Sequence, residues 1–327
     1  MKKDILITGV AGFIGFSLCK ELLKDKNNRI IGIDNLNSYY SIKLKKSRLN
    51  VLRKKNDFSF FKVDLINQKK LKSLFERYKF EKVYNLAAQA GVRYSYINPQ
   101  SYCNSNIIGF NNLLHLIKEY NVPEFFFASS SSVYGDSKPY PKNEKSKLYP
   151  SNIYSLSKLT NEKIAETFSR SMKTKIIGLR FFSIYGEWGR PDMMILKYLL
   201  ASKFNNPFEL FNYGNHYRDF TYINDAVNLV LNINSKLLKS NFEIFNICSS
   251  RPIKITKVLD IINSFNIKTK IIQKPLHSAD VLKTYGSNNK ILKHVKYYKF
   301  TRYKDAVKNT VKWFLSNSKF FNRYIFL

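Results

Sequence analysis

Four times in this chain a tyrosine is followed four residues later by a lysine: Tyr39/Lys43, Tyr78/Lys82, Tyr134/Lys138 and Tyr154/Lys158. A phenol is too weak an acid to act as a base near pH 7. A neighbouring ammonium favours the phenolate, lowers its pKa and makes the pair a proton acceptor. The two side chains must share a face, which an unbroken helix provides at a spacing of four. Tyr134/Lys138 contains Gly135 and precedes Pro139, a turn. Tyr39/Lys43 lies just beyond an expected strand, and Tyr78/Lys82 crosses from a helix into a strand. Only Tyr154/Lys158, in "SNIYSLSK", sits near the start of a long helical pattern without Gly or Pro. With 22 tyrosines in the chain the spacing alone is weak evidence, so the elements around it must decide.

The first half alternates short apolar runs with amphipathic stretches. Strands are expected at 4–9, 29–34, 58–65, 82–88, 124–130 and 175–181, and helices at 13–24, 68–78, 101–120 and 151–171. This alternation predicts an α/β fold, a doubly wound parallel sheet with helices on both faces. The fifth strand ends in Ser129–Ser132, at the sheet edge where open α/β folds bind ligands. The second half is less regular. Residues 186–192 read as a turn-rich break, 222–234 as helix, 242–249 as strand and 303–315 as a last helix. Residues 1–181 are expected to form a Rossmann-type core, to which the chain returns around 219–250. Residues 182–327 are expected mostly to form a smaller substrate-binding region.

Gly9, Gly12 and Gly15 follow the first strand directly and open the first helix. Glycines there allow a tight turn and close approach to a pyrophosphate, and the helix N-terminus offers unpaired N–H groups. The second strand ends at Asp34, nineteen positions after Gly15, where a carboxylate can accept both adenosine ribose hydroxyls and repel a 2′-phosphate. Together these point to NAD. Phe13 and Ile14 lie within the glycine turn, Asn35 follows Asp34, and Asp64 with Leu65 ends the third strand. Asp64 has two readings of equal weight, an adenine contact or a turn cap. Ala87 and Ala88 let a cofactor lie close to the fourth strand, or simply pack.

The net charge is +32, spread along the chain with one concentration at 43–55. No zinc-finger spacing or RNA-binding aromatic signature accompanies it, so it reads as a solvated surface that also attracts a polyanionic small substrate, with no nucleic-acid partner. Cys19, Cys103 and Cys248 fit neither a metal site nor a disulfide framework, which suits a reduced cytoplasm and predicts no metal. At the N-terminus, lysines before an apolar stretch resemble a weak signal peptide. Asp4 and the recurring glycines favour a buried strand instead. No apolar run is long enough to span a bilayer, so no membrane insertion is expected.

The segments "GVAGFIG", "DNLNSYY", "NLAAQAGVRYS", "ASSSSVYG", "YSLSK", "RFFSIYGEWGRPDM" and "RDFTYINDAV" resemble the extended short-chain dehydrogenase/reductases. Within them they are most similar to the UDP-glucuronate 4-epimerases. The likeness runs from Gly9 to Val227 and is looser beyond. It implies Tyr154 as base, Lys158 as its helper and Ser130 as the partner of the substrate hydroxyl. It implies Asn106 as support for the active-site helix and a bound water, although a helix-surface amide competes with that role. Arg93, Arg190, Arg218 and Asp280 would contact the substrate, with Arg218 on the diphosphate. Ser131, Ser132 and Ser183 would sit at the sugar C6 group. A homodimer through segments 101–120 and 152–171 is implied as well.

The chemistry so implied is oxidation of a UDP-sugar at C4 by NAD⁺, rotation of the 4-keto sugar and reduction on its other face. A uronate then passes through a β-keto acid, which loses CO₂ unless its carboxylate is held away from the perpendicular; serine hydroxyls suit that task. The rivals are 4-epimerases of UDP-glucose or UDP-N-acetylglucosamine, a 4,6-dehydratase, a non-catalytic NAD-binding protein and an electrostatic nucleic-acid binder. A dehydratase would place Asp-Glu where Ser131 and Ser132 stand. A non-catalytic protein would lack Tyr154 or Lys158. Departures from the family pattern are Ser183 for Thr, Glu187 for Pro, His277 for Gln or Arg, and Gly286–Ser287 for Ala-Asp. They bear on the nucleotide contacts more than on the redox core.

Overall fold

The computed structural model describes residues 2–277, 280–295 and 298–321. In chain order come Lys3–Thr8 (β1), Phe13–Leu22 (α1), Asn28–Asp34 (β2), Ile42–Leu52 (α2), Phe58–Lys62 (β3), Gln68–Arg77 (α3) and Phe80–Asn85 (β4). Two short helical turns follow, Tyr94–Ile97 (α4) and Pro99–Tyr102 (α5). A π-helical stretch, Cys103–Ile108, then leads into Gly109–Glu119 (α6). Glu124–Ser130 (β5), Ile153–Ser169 (α7) and Lys175–Phe181 (β6) complete the first half.

These strands form one parallel sheet in the order β3–β2–β1–β4–β5–β6. Their apolar runs are buried on both faces, as parallel strands require. Ile5 and Ile7 of β1 join the core against Phe16 and Leu18 of α1. Leu6, between them in sequence, joins the opposite core with Phe110 and Leu113 of α6. That division follows from the two-residue alternation of side chains along a strand.

The second half supplies Ser183–Tyr185 (β7), Met194–Lys203 (α8), Phe208–Phe211 (β8), Tyr217–Tyr222 (β9), Ile223–Leu231 (α9) and Phe242–Ile247 (β10). Pro252–Lys254 (β11), Ile255–Asn263 (α10), Ile271–Lys274 (β12), Asn289–Leu292 (α11) and Tyr303–Asn317 (α12) follow. β10 adds a seventh strand beside β6, while β11–β9–β7 and β12–β8 form two small separate sheets. Among the described residues no helix is long and apolar enough to cross a membrane.

The differences from the sequence reading have local causes. β3 and β4 stop at Lys62 and Asn85, short of their expected ends; beyond β4 the Ala87 N–H donates to the Thr8 Oγ1 hydroxyl rather than to a neighbouring strand's carbonyl. The helix expected over 101–120 is interrupted by the π-helical stretch, which brings Asn106 against β4's loop and α7. The basic concentration at 43–55, read as solvated surface, overlaps α2, on which Lys45 and Arg48 are buried.

Candidate active site

A cavity of about 940 Å³ runs along the C-terminal edge of the main sheet and continues towards β8 and β9. At one end lies the glycine turn. Gly9 has φ +66, and a Cβ on it would lie 2.6 Å from the Ala87 nitrogen. A Cβ on Gly15 would lie 2.3 Å from the Gly9 carbonyl oxygen, so only glycine lets α1 start this close to β1. Gly12 caps α1 without a side-chain hydrogen bond, which leaves the first N–H groups facing the cavity, with Phe13 and Ile14 in its wall.

Asp34 closes β2 at the cavity wall, accepting from the Leu36 N–H at 2.8 Å and the Ala11 N–H at 3.2 Å. Burial raises its pKa; those N–H groups, Lys45 and Arg48 oppose the rise. Asp64 is a turn cap at the cavity wall. It lines the cavity with Leu65, and it accepts from the Ile66 N–H at 3.1 Å and from Asn35 Nδ2 at 2.8 Å. Ala87 and Ala88 form the wall after β4. The glycine turn, the uncapped helix start and the carboxylate at the end of β2 fit a dinucleotide such as NAD.

Past this cradle the reacting groups converge. α7 begins with a reciprocal cap in which Asn152 and Ser155 exchange hydrogen bonds, fixing its first turn. Tyr154 and Lys158 lie on that helix and both line the cavity. Burial raises the Tyr154 pKa; a hydrogen bond from the Ser130 hydroxyl and the charge of Arg190 oppose this. The sequence expectation gave that role to Lys158. Here the ammonium turns instead to the carbonyl oxygen of Ala128, 2.8 Å away. Burial pushes the Lys158 pKa down to about 8, and Glu162, one helical turn on, resists the fall.

Ser130 ends β5 and accepts hydrogen bonds from the N–H and hydroxyl of Ser132, which sets the turn of the serine run. Ser131, Ser132 and Ser183 line the same stretch of cavity. Arg190 is there too, held by Asp192 through two hydrogen bonds. Burial would raise the Asp192 pKa, but the Arg190 charge and the hydrogen bonds from Arg190 and Tyr39 together outweigh it and keep the carboxylate low. At the far end, Arg93 donates to Asp280 at 2.9 Å and its guanidinium lies over the Phe211 ring at 3.9 Å. Arg218 lines the cavity beside them, donating to the carbonyls of Tyr217 and Leu282.

Of the sequence candidates, Asn106 alone does not reach the cavity wall. It is buried behind it, accepting from the Gln89 N–H at 2.8 Å and donating to the Gln89 carbonyl at 3.0 Å and to Ser157 Oγ at 2.9 Å. Ser157 in turn donates to the Tyr154 carbonyl. Asn106 thus ties the loop after β4 to the catalytic turn of α7, and any effect on a ligand passes through these bonds.

Residues 5–248 match the model of the NAD dependent epimerase/dehydratase family. The chain belongs to that family. It is 36% identical to a UDP-glucuronate 4-epimerase of Thermodesulfobacterium geofontis, over 95% of this chain and 96% of the other. The crystal structure of a Bacillus cereus UDP-glucuronic acid 4-epimerase, in complex with UDP-glucuronic acid and NAD, superposes with a TM-score of 0.87. Its identity is 27%, covering 96% of this chain and 99% of that one. A Thermotoga maritima UDP-glucose 4-epimerase with UDP-glucose superposes at 0.86 with 25% identity, at the same coverage.

This member of the epimerase/dehydratase family also rests on residues that the sequence reading passed over. Arg48, fully buried, donates to the Ala11 carbonyl in the glycine turn and to the Trp188 and Gly189 carbonyls just before Arg190. It joins the glycine turn to the loop that carries Arg190, and nothing in a run of lysines and arginines distinguishes it. Behind β5, Glu162 accepts from Ser129 Oγ and pairs with Arg180, which also donates to Tyr134 OH. The spacing of Glu162 four residues after Lys158 was a usable signal. Three of the departures from the family pattern are absorbed by local contacts. A Cβ on Gly286 would lie 2.4 Å from the Phe182 ring, His277 packs edge-on against Phe211, and Glu187 accepts from Tyr222 OH.

Proposed function

We propose that this protein is an NAD-dependent UDP-glucuronate 4-epimerase, interconverting UDP-glucuronate and UDP-galacturonate. The observation that carries the reading is one constellation in one cavity. The Tyr154 phenol bonded to Ser130, with Lys158 one turn on, shares its wall with Ser131, Ser132 and Ser183.

Ser130 orients the C4 hydroxyl and the Tyr154 oxygen toward one another, and Tyr154 takes the hydroxyl proton. NAD, when bound, supplies the hydride acceptor and donor at C4. Lys158 remains mainly cationic at pH 7 and stabilises the tyrosinate in the loaded site through its positive field. Arg93 and Arg218 hold the UDP end while the sugar turns over between the two half-reactions. Ser131, Ser132 and Ser183 hold the C6 carboxylate by hydrogen bonds. The Asp192 carboxylate on Arg190 offsets positive charge near the 4-keto sugar, where excess charge would stabilise the enolate and favour loss of CO₂. Serines at 131 and 132 offer no acid pair for expelling a C6 hydroxyl, which disfavours a dehydratase.

The test is to incubate purified protein separately with UDP-glucuronate, UDP-glucose and UDP-N-acetylglucosamine and resolve products by NMR. UDP-galacturonate is expected from the first. Conversion of the neutral sugars alone overturns the uronate assignment. Tyr154→Phe is expected to lower kcat by about 10²–10⁴ while NAD stays bound, and full activity in that variant overturns the proposed base.

The same reading assigns residues 1–181, with the return at β10, to the cofactor and most of 182–327 to the substrate. It places the protein in a reducing cytoplasm, consistent with three unpaired cysteines. It also makes it a homodimer through segments 101–120 and 152–171, where Ile108 and Leu156 stand 48% and 53% exposed. Light scattering on wild type and Leu156→Glu tests the dimer: a monomeric wild type removes it.

A further inference from the structure

Tyr39 heads one of the four Tyr-Lys pairs, but it stands in the loop before α2 while Lys43 is on that helix. Its side chain lines the cavity with Arg190 and Asp192. The hydroxyl donates to Asp192 Oδ2 at 3.1 Å, and the Arg190 guanidinium carbon lies over the ring at 5.7 Å. Burial, and then the Asp192 charge, raises the Tyr39 pKa, so the phenol keeps its proton at pH 7 and serves that carboxylate as a donor. Arg190 and Asp192 are two residues apart in one loop and hold each other through Nε and Nη2. Such a local pair moves with its own loop. Among the described residues, Tyr39 supplies the only side-chain hydrogen bond that ties either of these two side chains to another part of the fold. Gly91, after β4, makes room for it: φ is +105, and a Cβ there would lie 2.2 Å from the Tyr39 hydroxyl oxygen.

Where this pair stands matters to the reaction, because the Arg190 charge reaches the reacting centre: it holds the Tyr154 pKa down against burial. We propose that Tyr39 is a positioning residue for the oxidised intermediate, anchoring the Arg190–Asp192 pair so that epimerisation outruns loss of CO₂. The inference rests on the UDP-glucuronate reading above and adds to it a residue that sets the product. Loss of CO₂ from the 4-keto uronate breaks the C5–C6 bond. The electron pair forms the C4–C5 double bond and the ketone becomes an enolate oxygen; water then protonates C5 and leaves a 4-keto pentose. A cation free to approach that oxygen stabilises the enolate. Arg190, with two N–H groups committed to Asp192 and its face on a fixed ring, lacks that freedom. Without the phenol the pair loses its one tether outside its own loop.

The test incubates NAD-loaded wild type, Tyr39→Phe, Asp192→Ala and the double variant with UDP-glucuronate. NMR then measures UDP-galacturonate against the UDP-linked pentose and 4-keto pentose left by loss of CO₂. Phenylalanine keeps the ring under Arg190 and removes only the hydroxyl. A hydrogen bond to a charged group is worth about tenfold or more, so Tyr39→Phe is expected to raise the CO₂-losing share of turnover about tenfold, with NAD content unchanged. Asp192→Ala is expected to raise it further. The double variant should match Asp192→Ala, because the phenol acts only through that carboxylate. A Tyr39→Phe enzyme with the wild-type product ratio, whether or not kcat falls, overturns the inference and leaves the epimerase reading standing. An added shift in the double variant overturns it as well. Should Tyr39→Phe not fold, a wild-type product ratio in Asp192→Ala overturns it equally. Failure of wild type to convert UDP-glucuronate overturns the epimerase reading and this inference with it.

Discussion

Lys158→Met should make the protein more stable while destroying its activity. The ammonium of Lys158 is buried, and its pKa falls from an ordinary 10.5 to about 8. Each tenfold change in proton affinity is worth about 1.4 kcal/mol, so the charged form is about 3 kcal/mol less favourable in the fold than in water. Methionine keeps the stem's packing and removes the charge. It also forfeits the bond from a charged donor to the Ala128 carbonyl, a loss of about 2 kcal/mol. The net expectation is a gain of about 1 kcal/mol at pH 7. The gain depends on pH in a defined direction. Below about 8 the lysine is charged in both states and wild type bears the whole penalty. Between about 8 and 10.5 the folded state sheds the proton first, so wild-type stability rises with pH and the variant's advantage shrinks. Above 10.5 the penalty is gone, leaving only the lost hydrogen bond. Urea unfolding of both proteins, stripped of cofactor, at several pH values between 7 and 10.5 measures this directly. A variant less stable than wild type at pH 7, or a difference that does not vary with pH, refutes the reasoning.

Three further outcomes are expected. Glu162→Gln leaves the Arg180 charge buried without its partner and should cost about 3–5 kcal/mol, much of it restored in Glu162→Gln/Arg180→Met; urea unfolding reads both. Gly15→Ala drives a Cβ into the Gly9 carbonyl, a backbone group that cannot swing aside. It should lower stability by about 1–3 kcal/mol and strip co-purifying NAD, measured by cofactor release on denaturation. Asn106→Leu leaves the Gln89 N–H and carbonyl unpaired inside the protein. About 1–3 kcal/mol for each orphan group is expected, with kcat falling more than NAD affinity, since the tie to α7 is lost. Wild-type kcat in that variant would deny Asn106 its positioning role.

Much of the molecule was legible in the chain because its signals are local. Apolar runs separated by amphipathic stretches specify a parallel α/β sheet whatever lies far away in sequence. The glycine spacing, Asp34 at the end of β2 and the Tyr154/Lys158 turn each need only their own strand or helix to carry meaning. Those elements formed near their expected places, and the main sheet adopted the doubly wound order. Shorter elements of the second half, such as α8 and α10, escaped the reading, since their apolar residues face a core built from distant segments.

Charge and direction were decided by tertiary structure. A basic run says nothing about which cation is buried; Arg48 became a strut only because the 188–189 loop folds back over α2. The spacing of Tyr154 and Lys158 put them on one face, but the Ala128 carbonyl, thirty residues away in sequence, determines where the ammonium points. Asn106 faces the backbone of Gln89 rather than the cavity because the π-helical stretch turns it there. Hydrogen-bond direction and desolvation depend on neighbours that the sequence lists but does not place, so they are settled only when the chain has closed around them.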